Sequence, residues 1–122
     1  MADTYRVTWD PDARGDLVEI VRFIANNSLM DARRVAARLS ARASSLSRHP
    51  QRCRRVPELA ELPDFAGLAS ALEIRELIVR PWRLTFAIEG RRVRVVAVVD
   101  SRRDLVAWLE RHMHRLKKTA DQ

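Results

Sequence analysis

The chain has 122 residues and a mass of 14.1 kDa, enough for one compact domain over 1–122 whose hydrophobic core needs no metal or disulfide. Hydrophobic residues are 47% and charged residues 32%, which excludes a largely disordered chain, and no apolar run reaches the roughly 18 residues of a membrane span. The net charge of +7 comes almost wholly from arginine, whose planar fork pairs with carboxylates and phosphates; it admits a nucleic acid, an acidic protein segment, or simply a solvated basic surface.

Tyr5, Val7 and Trp9 alternate with Thr4, Arg6 and Thr8, which predicts a short first strand. Asp10 is suited to cap a helix, and Pro11 fits the first helical position, where its missing amide costs nothing. Along that helix Ala13, Leu17, Ile20, Val21 and Ile24 share one face, with Asp12, Asp16 and Glu19 expected outward. Val18 and Phe23 flank the stripe on opposite sides, making it too wide for one neighbour, so an edge is left for a second helix or a partner.

Asn26-Asn27 ends the first helix, and Ser28 with Asp31 resembles a capping box opening a second that runs to about Arg48, before Pro50. Its buried stripe is Ala32, Val35, Ala36, Leu39, Ala43 and Leu46, small enough for a tight helical hairpin. Arg34, Arg38 and Arg42 lie on or beside its outer face, as solvated charge or as a docking row for an acidic partner. The basic connector RHPQRCRR follows, then Val56-Pro57-Glu58-Leu59. Between Ala60 and Glu73 the spacing of Phe65, Leu68 and Leu72 allows a short helix over 64–72, with a long loop as the alternative.

Three runs of strand character come next: Ile74 to Val79, Trp82 to Glu89 and Arg92 to Asp100. The middle run alternates Trp82, Leu84, Phe86 and Ile88 with Arg83, Thr85, Ala87 and Glu89, the period of a half-buried strand. The third has Val93, Val95, Ala97 and Val99 on one face and Val96 and Val98 on the other, which predicts a central strand covered on both sides. Pro81 and Gly90 suit the two connections, so the three runs form an antiparallel meander. Ser101 and Asp104 are placed to cap a last helix carrying Leu105, Trp108, Leu109, His112 and Leu116, with cations gathered toward its C-terminus. The expected fold is therefore α+β, in the order β-α-α-β-β-β-α: a helical hairpin on a small antiparallel sheet, with a C-terminal helix.

The single cysteine, Cys53, has no partner for an internal disulfide, and the opening MADTYRVTWD carries no apolar signal region. Both point to the cytoplasm. Neighbouring arginines in QRCRRV are placed to lower the Cys53 pKa, although an incidental thiol is the plainer reading. No Gly-rich phosphate loop, CxxC pair, HExxH or GxSxG occurs, and His112 and His114, two apart on a helix, face different ways. Neither a metal nor a cofactor is expected.

Trp9 with Asp10, Pro11, Ala13, Asp16 and Leu17, then Ile24-Ala25 and Ala32 to Leu39, resembles the opening of the RelE/ParE superfamily of bacterial type II toxins. So do Val56-Pro57-Glu58-Leu59, Ile74-Arg75-Glu76-Leu77, Trp82-Arg83 and the strand ending in Arg102-Arg103-Asp104-Leu105. The resemblance covers nearly the whole chain except 60–73, and it implies a cognate antitoxin, bound in a hetero-oligomer through an acidic or amphipathic tail. The antitoxin-binding residues expected here are Val18, Arg22, Phe23, Arg34, Arg38 and Arg42.

The superfamily divides by target. RelE-like members cut mRNA on the ribosome, and Arg83 and Arg103 match arginines that clamp the phosphate there. The acid-base partners do not match: Glu76 or Ile74 stands where a lysine is usual, Trp108-Leu109 where a tyrosine is usual, and the only tyrosine, Tyr5, lies in the first strand. ParE-like members poison DNA gyrase by binding, and the ending VVDSRRDLVAWL resembles theirs. That branch implies a target surface of Arg83, Arg102, Arg103 and Trp108, with no catalytic group. A RelE-like endoribonuclease and an antitoxin-binding homologue without toxicity are the alternatives.

Overall fold

The computed structural model describes residues 4–58 and 73–101. The short helix expected over 64–72 and the last helix, with Arg102, Arg103 and Trp108, lie outside the described residues. Strand β1 (Arg6–Trp9) leads into helix α1 (Pro11–Ala25) and helix α2 (Leu29–Ser44). Two short 3-10 turns and the two-residue strand β2 (Arg54–Arg55) follow, then β3 (Glu73–Val79), β4 (Trp82–Glu89) and β5 (Arg92–Asp100). The α+β architecture is as expected: a helical hairpin packed on a sheet.

The helix ends follow local chemistry, with one exception. Ser28 Oγ accepts the Asp31 backbone N–H at 3.1 Å, the first half of the expected capping box. A 3-10 turn over Ser45–Ser47 carries the second helix almost to Arg48. Asp10 occupies the N-cap position of α1 in extended conformation but makes no side-chain cap bond. Its carboxylate is taken by Arg94 instead, with Nη2 donating to Oδ2 at 2.8 Å and Nε to Oδ1 at 3.1 Å.

The sheet order is β1-β5-β4-β3-β2. The meander of β3, β4 and β5 is antiparallel as expected, and β2 extends it by pairing Arg54 with Glu76 and Arg55 with Arg75. β1 pairs parallel to β5, from Arg6 opposite Arg92 to Trp9 opposite Val95, so the sheet is mixed. Side-chain alternation reports which face a residue takes, not the direction of its neighbour, and so could not give this. β5 is buried from Val93 to Val99 as predicted, but the middle position belongs to β4, also buried from Trp82 to Ala87. Arg83 and Thr85, expected on an open face, are under 9% exposed.

A bulge explains why β5 reads as apolar on both sides. Thr85 pairs with Ala97 but Phe86 pairs with Val95, which leaves Val96 as the extra residue. Beyond the bulge the alternation slips by one: Val93, Val95 and Val98 join the core, opposite the assignment that strict period two gives Val98. That core is closed by Ala13, Leu39, Ala43 and Leu46 of the hairpin region against Leu77, Val79, Trp82, Leu84 and Phe86. Fully burying a Leu or Phe side chain contributes about 1.5–3 kcal/mol, so these few positions carry much of the stability. No described helix is long and apolar enough to cross a membrane.

Candidate functional site

The outer surface of the hairpin keeps the apolar residues that no helix stripe absorbs. Val18, Phe23, Leu29 and Met30 are 45%, 73%, 60% and 64% exposed. Phe23, Leu29 and Met30 bracket the Asn26-Asn27 turn, while Val18 and Arg22, four apart, share one stripe of α1. The width inferred from Val18 and Phe23 is thus a real exposed edge. Four-residue spacing sets Arg34, Arg38 and Arg42 along one stripe of α2 at about 6 Å intervals of rise, and all three are exposed. Arg38 Nη1 donates to the Arg80 carbonyl at 3.1 Å. Among the described residues no ion pair involves Arg22, Arg34 or Arg42.

Arg83 is in a different situation. Strand register places it with Glu76 and Thr85 on the sheet face turned away from the helical core. Its Nε donates to Glu76 Oε2 at 2.6 Å and its Nη2 to Glu76 Oε1 at 2.9 Å. The second fork, Nη1 and Nη2, donates to Glu58 Oε2 and Oε1 at 2.8 and 2.9 Å. Glu76 also accepts from Arg54 Nε at 2.6 Å, which is possible because Arg54 and Glu76 are directly opposed on β2 and β3. Both forks of Arg83, the residue expected to present a cation to a target or a phosphate, are filled by carboxylates of its own chain. The hydrogen bonds that Arg83 donates to Glu58 raise the Arg83 pKa further above its ordinary value, and Arg83 in turn lowers that of Glu58.

A second network on the same face has the same character. Buried Arg94 holds Asp10 at one end, while its Nη1 donates to Glu89 Oε2 at 3.3 Å; Arg92 Nη2 donates to Glu89 Oε1 at 2.8 Å. Asp16, expected outward on α1, instead accepts the Val98 backbone N–H at 3.0 Å. The β1 register stops at Trp9 opposite Val95, so this carboxylate satisfies a β5 donor beyond the end of the neighbouring strand.

Glu58, Glu76, Asp10, Asp16, Arg92 and Arg94 were not among the predicted site residues. One signal was available: in IRELIV, Glu76 shares a strand face with Ile74 and Ile78, and an acid flanked by isoleucines on one face implies a buried, paired carboxylate. The other pairings join residues distant in sequence. Pairing lowers the Glu58 pKa and raises those of Arg83 and Arg94, which moves these three groups away from proton transfer near neutrality. Burial pushes the Cys53 thiol up, outweighing Arg52, Arg75 and Arg42, so the arginines do not activate it.

The family model for the ParE toxin of the type II toxin-antitoxin system, parDE, matches residues 7–105. Among solved structures, one titled as a chromosomal ParDE toxin-antitoxin system from P. aeruginosa is similar at a TM-score of 0.60 and 15% identity. The alignment covers 81% of this chain and 98% of that one, a likeness of fold. No curated protein matches. With the family model spanning most of the chain, from β1 past the end of β5, the protein belongs to the ParE toxins of type II toxin-antitoxin systems, the ParE-like branch of the RelE/ParE superfamily.

Proposed function

We propose that this ParE-family protein acts by binding, with DNA gyrase as target and a cognate antitoxin as the partner that neutralises it in the cytoplasm. The observation that carries this reading is the division of its arginines. Arg83, the residue that an mRNA-cleaving relative would need free, is saturated by Glu58 and Glu76, whereas Arg22, Arg34 and Arg42 on the hairpin have no counter-ion among the described residues. A presented surface needs no proton shuttle.

The antitoxin segment that fits the hairpin is acidic and amphipathic. Its apolar side chains would cover Val18, Phe23, Leu29 and Met30, and its carboxylates would meet Arg22, Arg34, Arg38 and Arg42, giving a hetero-oligomer. Apolar burial would supply most of the affinity, and the arginine row would speed and orient encounter in a salt-dependent way. Target contacts are proposed for Arg102, Arg103 and Trp108. In the test, the protein is expressed with and without the neighbouring antitoxin frame, and purified protein is added to a gyrase supercoiling and cleavage assay. Growth arrest with a DNA-damage response and stalled gyrase are expected. Rapid message cleavage on ribosomes would replace this reading with RelE-like chemistry, and harmless expression with intact antitoxin binding would replace it with a non-toxic homologue.

A further inference from the structure

We propose that Glu58 is a specificity-determining residue: its carboxylate fills the outer fork of Arg83 and so keeps phosphate oxyanions off this face of the sheet. Paired N–H donors spaced to hold two carboxylate oxygens at 2.8 and 2.9 Å are equally suited to two phosphate oxygens. What stops a phosphate from binding is that the chain has put its own anion there.

The two carboxylates around Arg83 differ in how firmly they are held. The Glu76 side chain is 0% exposed and bound by both Arg54 and Arg83, so it is a permanent part of the sheet. The Glu58 side chain is 21% exposed, and of the described side chains only Arg83 hydrogen-bonds to it. Glu58 is therefore the removable member. With it, the cluster of Arg54, Arg83, Glu58 and Glu76 has two charges of each sign and is neutral; without it, the cluster is one positive charge in excess, with a fork open.

The second network also pairs two arginines, Arg92 and Arg94, with two acids, Asp10 and Glu89, among the described residues. A protein of net charge +7 would otherwise attract polyanions along this face, since phosphate binding is dominated by unpaired cations. Internal pairing of Arg83, Arg92 and Arg94 lowers the uncompensated charge on this face and favours recognition of a protein partner over adventitious binding of nucleic acid.

The test compares wild type with Glu58→Gln, which keeps the shape of the side chain and removes its charge. The Arg83 Nε–H resonance is followed by NMR during titration with inorganic phosphate and, separately, with a short single-stranded RNA. The expected result is an unmoved signal in wild type and a saturable shift in Glu58→Gln, with affinity for phosphate raised about tenfold or more. That gain should vanish in the double variant Glu58→Gln with Arg83→Met. Equal phosphate binding by wild type and Glu58→Gln, or a gain that survives loss of Arg83, overturns the proposal. A second measurement needs no variant: wild type titrated with sulfate should respond at Arg83 only at acid pH, once Glu58 protonates, and a response of equal strength at neutral pH overturns it as well. Neither readout involves gyrase or an antitoxin, so a failed gyrase assay leaves this inference standing; a gain that survives loss of Arg83 overturns only this inference, whereas phosphate binding at Arg83 in wild type also removes the pairing that supports the proposed function.

Discussion

The outer surface of the helical hairpin and the outward face of the sheet both carry arginine, and they use it in opposite ways. On the hairpin, Arg22, Arg34 and Arg42 stand exposed, without an ion pair among the described residues, and Val18, Phe23, Leu29 and Met30 are exposed as well. On the sheet, Arg83 and Arg94 are buried and each is held by two acidic residues. The difference teaches that net charge is a poor guide to where a basic protein binds. A guanidinium recognises a partner only where its own chain has left it without an anion, and a buried one must be paired because desolvating it alone costs several kcal/mol.

The largest test of the contrast falls on the sheet. Glu76→Ala leaves Arg83 and Arg54 facing each other without their shared carboxylate, and breaking a buried pair of this kind costs about 3–5 kcal/mol. Denaturant unfolding should show that loss; a cost below about 1 kcal/mol would mean the network is not a structural cross-link. On the hairpin the same measurement should barely respond. Phe23→Asp, at a side chain 73% exposed, is expected to change stability by no more than about 0.5 kcal/mol. Its affinity for the antitoxin should fall about thirtyfold, a shift of about 2 kcal/mol read by calorimetry. Unchanged affinity would remove Phe23 from the interface.

Asp16 lies between these extremes, on the hairpin but bonded to the sheet. Asp16→Ala strands the Val98 N–H and should cost about 1–3 kcal/mol. A neutral effect would show that water replaces the carboxylate there.

The smallest expected effect is the pH dependence from Glu58. Arg83 holds the Glu58 pKa below its ordinary value of 4.5, so the folded state binds its proton less readily than the unfolded chain. The stabilisation is therefore fully present above about pH 4.5 and is lost as pH falls through the lowered folded value. The stability difference between wild type and Glu58→Gln should shrink across that acid window, and a difference independent of pH down to complete protonation would refute the pairing.

Much of the fold was legible. The strands, the hairpin, its Ser28 cap and the turn at Gly90, where φ is 59°, follow from signals spanning a few residues, as does the exposed edge marked by Val18 and Phe23. Three features misled. Period two cannot register a bulge, so Val98 was assigned to the wrong face; alternation cannot reveal cover on the second face of β4, so Arg83 was read as accessible; and the helix wheel set Asp16 outward without knowing that β1 ends early.

The amino-acid sequence by itself determined the first strand, the helical hairpin, the three-strand meander, their order and the family, because capping, periodicity and turn chemistry act over the length of a single turn or strand. Only the tertiary structure decided which cations are spent inside the molecule. Arg54 meets Glu76 across 22 positions, Arg83 meets Glu58 across 25, and Arg94 meets Asp10 across 84. Whether opposite charges separated by such lengths of chain come within hydrogen-bonding distance depends on strand register and packing, which no local pattern encodes.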